Sequence, residues 1–193
     1  MAEKIIEDQT FDKQDFIITP LPKGEYEHCR FIGCEFSNAD IKDVRFLECV
    51  FEGCNLSMAK FNGTALIDIK FTNCKMLGLQ FAACSQFGLA ASFDGCILNH
   101  SSFYQTKLKK TSFKNTTLVE VDFTQCDVSS AIFDNCDFSG ALFENTILEK
   151  ADLRTSFNYT INPESNRLKK AKFSLSGVAG LLRKYDIDID IRG

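Results

Sequence analysis

The sequence predicts an all-β solenoid, because large apolar residues recur at every fifth position along most of its length. From Phe93 to Leu153 this register has thirteen members without a failure, and the register from Phe11 to Phe81 has fifteen. Most members follow a small residue two places earlier. Five residues advance an α-helix by about 140° and place successive members on opposite faces of a strand, so this period fits neither element. The chain must therefore turn every five residues, and stacked coils pair their backbones as strands of a parallel sheet do.

The register accounts for the aromatic composition, since seventeen of nineteen Phe residues fall on it and only Phe87 and Phe157 lie off it. Sixteen of the seventeen are among 28 predicted inward positions, and the other is Phe173, twenty residues after Leu153. The positions are Phe11, Phe16, Leu21, Tyr26, Phe31, Phe36, Ile41, Phe46, Phe51, Leu56, Phe61, Leu66, Phe71, Met76, Phe81, Phe93, Leu98, Phe103, Leu108, Phe113, Leu118, Phe123, Val128, Phe133, Phe138, Phe143, Leu148 and Leu153.

All nine cysteines occupy the small position of the register. Disulfides or a metal site are the alternatives to packing. No CxxC or His-paired spacing supports zinc, and a free Cys behaves as a small buried hydrophobe, so we predict packing and no metal or cofactor.

The N-terminal residues contain no basic segment followed by a long apolar run, and no stretch approaches membrane-spanning length. We therefore expect a cytoplasmic protein that does not contact a membrane and keeps its thiols reduced.

We divide the chain into an N-terminal cap (1–10), a repeat region (11–157) and a C-terminal capping and dimerisation segment (158–193). Ser174 or Ser176 is predicted to cap a short helix with an apolar face at Val178, Leu181 and Leu182. The strict alternation from Asp186 to Ile191 predicts a final strand.

The register breaks once, between Phe81 and Phe93, where the spacing is two pentapeptides plus two residues. The intervening residues, 82–92, form either a defect that the coil absorbs or a loop that contacts a partner. The scarcity of polar residues favours the defect.

Three units carry a family resemblance: Ala39-Asp40-Ile41, Cys136-Asp137-Phe138 and Ala151-Asp152-Leu153. They resemble the signature of the pentapeptide-repeat family. That resemblance implies a right-handed quadrilateral β-helix with four pentapeptides in each coil.

The tail extends the resemblance. Residues 161–164, 166–168 and 180–182 are similar to the C-terminal tail of relatives of the Qnr-like quinolone-resistance proteins and of the microcin B17 immunity protein. This similarity implies a homodimer formed by terminal elements. We take Val178, Leu181, Leu182, Ile187 and Ile189 as candidate dimer contacts.

No catalytic constellation is present in the sequence. His28 and His100 are the two histidines, and each is expected to point into solvent rather than act as a base. Phosphate-binding glycine loops, HExxH and GxSxG are missing, which predicts a protein that is not an enzyme. Asp residues just before inward positions are expected to serve turns.

Charge is uneven along the chain. Residues 1–157 contain 22 acids and 15 bases, whereas residues 158–193 contain 4 acids and 7 bases. Residues 115–149 contain seven acids and no Lys or Arg, and these acids are the candidate partner surface: Glu120, Asp122, Asp127, Asp134, Asp137, Glu144 and Glu149.

Two functions follow from these patterns. The family resemblance implies a DNA mimic that binds DNA gyrase or topoisomerase IV, both type II topoisomerases, and protects it from quinolones or toxins. The alternative is a structural scaffold for an unrelated protein partner. Neither needs direct binding to nucleic acid. The net charge of residues 1–157 is −7, from 22 acids and 15 bases. This is well below the charge that a DNA mimic needs, because duplex DNA over the same length, roughly 34 Å, bears about 20 negative charges.

Overall fold

The computed structural model describes residues 4–190, which form a right-handed quadrilateral β-helix. Its eleven strands are short and pair only in parallel, each with the segment one coil away. The strands are β1 Ile5–Glu7, β2 Thr10–Asp12, β3 Glu25–Glu27, β4 Arg30–Ile32, β5 Arg45–Leu47, β6 Val50–Glu52, β7 Ala65–Ile67, β8 Ile69–Thr72, β9 Ala91–Asp94, β10 Ser112–Lys114 and β11 Ile132–Asp134.

Each coil has four faces, which we name by their first register residue: the Phe11, Phe16, Leu21 and Tyr26 faces. The seven-stranded sheet β2-β4-β6-β8-β9-β10-β11 forms the Phe11 face, and the four-stranded sheet β1-β3-β5-β7 begins the Tyr26 face. Single parallel bridges continue these ladders and build the other two faces, as Glu35↔Asn55 does on the Phe16 face. Residues twenty apart are therefore neighbours across most of the rod.

The predicted core is confirmed. All 28 register positions except Phe11 are buried, and Phe11 is partly buried against the same cluster. Along the Phe11 face the rings stack coil upon coil, with centroids 4.8 Å apart for Phe11–Phe31 and 4.9 Å for Phe93–Phe113. Offset stacking of this kind adds to the free energy gained by burial.

The small position is buried as well, and many of its thiols and hydroxyls donate to a carbonyl of the coil below. Cys49 Sγ donates to the Tyr26 carbonyl at 3.2 Å, and Thr146 Oγ1 donates to the Phe123 carbonyl at 2.8 Å. All nine cysteines are free and buried, which confirms their packing role. Burial raises the pKa of Cys49, Cys84 and Cys126 to about 12, which suits inert thiols.

The corners explain the Asp residues of the repeat. Two places after most centres the backbone has positive φ, for example 58° at Asn38 and 52° at Asn73. One place before the centre, a carboxylate accepts the N–H two residues later, as Asp122 does from Thr124 at 2.8 Å. The predicted turn role of these residues is confirmed.

The register break is confined to residues 86–90, which we call the break loop. Ser85 N–H donates to the Thr64 carbonyl at 2.9 Å, as Ala65 N–H donates to Val44 one coil below, and Ala91 again pairs in register with Ile69. Five residues thus fill a place that three fill elsewhere. Leu89 packs partly against the core, whereas Phe87 projects with 84% of its surface exposed.

The ladders extend beyond residue 157, where the repeats were expected to stop. Ile147 pairs with Arg167 and Asp152 with Lys172, while Tyr159 and Ile161 fill inward space that the register leaves without an apolar residue. At the other end, β1 adds a rung below β3 and buries Ile6. The division of the chain at residues 10 and 157 stays a prediction.

The tail forms one short helix, α1 Ala179–Leu182, between 3₁₀ turns at Ser176–Val178 and Arg183–Tyr185. Ser174 Oγ accepts the Gly177 N–H at 3.1 Å at the start of the first turn. The Gly180 carbonyl accepts the Ile161 N–H at 3.1 Å, which holds the helix on the last coil.

The predicted terminal strand is not found. Residues 186–190 form no strand, and Ile191 lies outside the described residues. Alternation in sequence indicates one apolar face but does not provide the neighbouring strand that a ladder requires.

Candidate functional site

The seven acids of residues 115–149 do not form one surface. Asp122 lies in the ladder Ser102–Asp122–Leu142, Asp127 in the ladder Lys107–Asp127–Ile147, and Asp137 in the ladder Thr117–Asp137–Phe157, while Asp134 is in β11. These are the four different faces of the rod. The coil therefore separates residues that the sequence places together.

Several of these acids also have local partners. Asp127 Oδ2 lies 3.1 Å from Lys109 Nζ, and Glu149 Oε1 lies 2.6 Å from Arg167 Nη2. Partial burial alone would raise the pKa of Asp137, yet hydrogen bonds from Ser139 and Asn158 hold that pKa below its usual range. Such carboxylates stabilise corners more than they project charge.

A concentrated acidic surface lies elsewhere, on the first four rungs of the Tyr26 face. This acidic half-face comprises residues 5–8, 25–28, 45–48 and 65–68. It holds six acids and one base, net −5 with His28 neutral. The acids are Glu7, Asp8, Glu25, Glu27, Glu48 and Asp68.

Parallel pairing fixes the acids at regular spacing. Glu7 stands opposite Glu27 in the β1–β3 register, and Glu25 lies in line with Arg45, whose Nε is 2.6 Å from Glu25 Oε2. His28 lies between Glu27 and Glu48, at 3.6 Å and 3.7 Å. Glu7, Asp8, Glu48 and Asp68 are exposed.

The same face reverses its charge beyond the break loop. The basic half-face comprises residues 107–110, 127–130, 147–150 and 167–170, with seven bases and two acids, net +5. Its bases are Lys107, Lys109, Lys110, Lys150, Arg167, Lys169 and Lys170, and its acids are Asp127 and Glu149. An exposed aromatic residue, Phe87, stands between the two halves.

Sequence reasoning missed both half-faces because it counted charge along consecutive residues. In a twenty-residue coil, spatial neighbours lie at intervals of twenty. Reading residues 7, 27, 47 and 67, and then the corners 8, 28, 48 and 68, would have found the acidic half.

Chemical sites are not indicated among residues 4–190. The side chains of His28 and His100 are 46% and 59% exposed, as expected, and each lies beside a glutamate. No group of three or more His, Cys, Asp or Glu in the described chain is arranged to hold a metal ion. Within the same residues, no helix is long and apolar enough to cross a membrane.

The predicted tail residues lie at the C-terminal end of the rod. Leu181 packs against the core, and Val178 and Leu182 are half-buried, whereas Ile187 and Ile189 are 56% and 41% exposed. Leu175 adds a neighbouring apolar side chain that is 90% exposed. Three of the five predicted contact residues, Val178, Leu181 and Leu182, therefore lie at least partly against the rod, whereas Ile187 and Ile189 face solvent.

The four-faced coil and its surface of fixed side-chain columns define the class of the protein as a quadrilateral β-solenoid. The family model described as "Pentapeptide repeat region" matches residues 25–86 and 80–153. The chain belongs to the pentapeptide-repeat family. No curated protein matches the sequence significantly.

Solved structures share the fold. A trypsin-treated variant of QnrB1, described as a plasmid-mediated fluoroquinolone resistance protein, has a TM-score of 0.64 and 18% identity, covering 96% of this chain and 97% of that chain. Full-length QnrB1 has a TM-score of 0.63 and 16% identity, covering 95% of this chain and all of that chain (100%). At these identities the likeness concerns the fold.

Proposed function

We propose that this protein is a non-enzymatic DNA mimic that binds DNA gyrase or topoisomerase IV and protects it from quinolones or toxins. The acidic half-face is the observation that carries the proposal, and its four rungs are the contact surface. The fold shared with QnrB1 supports the choice of partner class, because it supplies a rod of similar architecture.

The charge per unit length of the acidic half-face supports this half-face, rather than the whole rod, as the surface that mimics DNA. Three intervals of about 4.8 Å separate its four rungs, so it spans roughly 14 Å, over which duplex DNA carries about eight charges. The half-face has net charge −5 on one side of a rod. Its density is thus much nearer to that of DNA than the average over the whole repeat region.

Rigidity supports mimicry as well. Backbone ladders hold the acids in columns, so little conformational entropy is lost when a partner's Lys and Arg side chains bind them. Clustered charge of one sign also accelerates association with an oppositely charged surface.

Homodimerisation through the tail is part of the proposal. Ile187, Ile189 and Leu175 give the end of the rod an exposed apolar surface, which a second copy can cover in a two-fold contact. We place the protein in the cytoplasm, where its nine free thiols remain reduced.

The test is gyrase supercoiling, measured with and without a quinolone, for the wild type and two matched variants. The first variant, Glu7→Lys/Glu27→Lys/Glu48→Lys, reverses three charges on the acidic half-face. The second, Glu120→Lys/Asp134→Lys/Glu144→Lys, reverses three acids that lie on different faces. We expect wild type and the second variant to protect supercoiling and the first to lose at least tenfold in effective concentration.

The outcomes separate the candidates. Equal loss of protection in both variants would show that the overall charge of the protein matters. It would exclude the acidic half-face as the specific contact surface. A wild type without effect on gyrase supercoiling, or on topoisomerase IV decatenation measured in the same way, would reject the topoisomerase proposal. It would favour a scaffold for an unrelated partner, for which exposed Phe87 in the break loop is the supporting observation.

A further inference from the structure

The Tyr26 face consists of eight rungs around the break loop, four acidic on one side and four basic on the other. The net charges are −5 and +5, so the face as a whole is neutral but strongly polarised. A surface with this pattern repels a copy of itself in parallel orientation. It attracts a copy that is turned end for end.

A two-fold axis through the break loop pairs each acidic rung with a basic rung at the same distance from the loop. The outermost pair brings Glu7 and Asp8 to the rung of Arg167, Lys169 and Lys170. The innermost pair brings Asp68 to the rung of Lys107, Lys109 and Lys110. Lys109 and Arg167 pair with Asp127 and Glu149, whereas the other side chains of these two rung pairs form no ion pair with any of residues 4–190.

The exceptions to each half also match. Arg45 is the one base of the acidic half-face, and it lies two rungs from the loop. Asp127 is the one charged residue of its rung in the basic half-face, and that rung also lies two from the loop. The third rungs match less well, because Lys150 shares its rung with Glu149. In the antiparallel arrangement, Arg45 of one copy therefore lies opposite the rung of Asp127 of the other, so these two exceptions are also complementary in charge.

The centre of the face is apolar. Phe87 is 84% exposed at the loop. The half-buried Ile67 lies next to Gly88 of the same loop, since a Cβ added at Gly88 would be 3.4 Å from Ile67 Cγ1. A residue on a two-fold axis meets its own copy. An exposed aromatic residue at that place gives the pair a desolvated centre inside a charged rim, as interfaces commonly have.

We propose that the Tyr26 face binds a second copy of this chain in antiparallel orientation, with Phe87 near the two-fold axis. Eight intervals of about 4.8 Å, counting the level of the break loop, and a width of four residues at about 3.3 Å give roughly 500 Å² for each copy. The total, about 1,000 Å², is below that of stable complexes, so the association is weak and depends on salt.

This interface is distinct from the tail contact and does not depend on the proposed function. It covers the acidic half-face, so a partner that binds those acids competes with the second copy. Self-association and partner binding would exclude each other.

The experiment is a charge swap in the full-length chain carrying Ile187→Glu/Ile189→Glu, which removes the exposed tail contact. One variant adds Glu7→Lys/Asp8→Lys/Asp68→Lys and the other adds Lys110→Glu/Lys169→Glu/Lys170→Glu. Sedimentation velocity in 50 mM salt is measured for the background, each variant alone and the two mixed. We expect the background to associate, each variant alone to lose at least tenfold in affinity, and the mixture to regain it.

A cross-link tests the axis. All nine native cysteines are buried, so Phe87→Cys introduces an exposed thiol. Oxidation is expected to join two copies of the Phe87→Cys variant, and to fail for the control Leu142→Cys on the Leu21 face, where the native side chain is also exposed. Identical sedimentation of background, variants and mixture, or equal cross-linking at both sites, would overturn the proposal.

Discussion

Phe71 and Phe93 stack with their ring centroids 5.4 Å apart and their planes 9° from parallel, although 22 residues separate them. The pairs below and above, Phe51–Phe71 and Phe93–Phe113, stack at 5.1 Å and 4.9 Å across 20 residues. The break loop therefore absorbs two extra residues on one face without disturbing the aromatic column on the next.

That geometry predicts a repaired coil. Deleting Gln86 and Gly88 leaves Ser85-Phe87-Leu89-Ala90-Ala91, in which Phe87 takes the inward position. Burying a Phe side chain stabilises by about 1.5–3 kcal/mol, and an Ala at the positive-φ corner costs about 1–2 kcal/mol. We expect a folded protein whose stability is equal or about 1 kcal/mol higher, measured by thermal unfolding. The control deletion of Gln86 and Phe87 places Gly88 inward and should melt lower. The reverse order would contradict the assignment of the loop.

The core predicts unequal effects for neighbouring residues. Phe123 is fully buried between Phe103 and Phe143, with centroids 5.3 Å and 5.2 Å away. Phe123→Asp should cost more than about 4 kcal/mol and unfold the coils, because an unpaired charge would be buried. Thr124→Asp, on the outer surface, should change the unfolding free energy by less than about 1 kcal/mol. Equal melting temperatures would refute the register.

Asp152 predicts an acid-sensitive contribution to stability. A hydrogen bond from Arg154 is the largest cause that lowers the pKa of Asp152 to about 2. Because the folded pKa lies below the unfolded value of about 3.9, the contribution is complete above pH 4 and is lost as pH falls through 2. Asp152→Asn should cost up to about 1 kcal/mol at pH 7, and the difference should shrink towards pH 2. Urea unfolding at both pH values measures it, and a difference independent of pH would argue against the ion pair.

The tail predicts assembly that withstands salt. At micromolar concentration in 0.5 M NaCl, where charge pairing on the Tyr26 face is screened, the full chain should sediment as a dimer. Ile187→Glu/Ile189→Glu should be a folded monomer, since both side chains are exposed and removing them leaves the core intact. Leu181→Glu should also lower the melting temperature, because Leu181 packs on the last coil. A monomeric wild type under these conditions would exclude the tail dimer.

The sequence by itself determined the interior. The five-residue register predicts that side chains such as Phe93 and Leu148 point inward, because every turn repeats the same local geometry. Both side chains are buried, which confirms the prediction. The cysteines and the corner aspartates follow for the same reason. Each depends on residues within one or two pentapeptides.

Only the tertiary structure decided the surface. Neighbours there are twenty residues apart, or twenty-two across the break loop, as the pairing of Phe71 with Phe93 requires. The acids from Glu120 to Glu149 disperse over four faces, while Glu7, Glu27 and Glu48 come together. The terminal alternation at Ile187 and Ile189 likewise gave an apolar pattern but no strand, because a ladder needs a partner that local sequence does not specify.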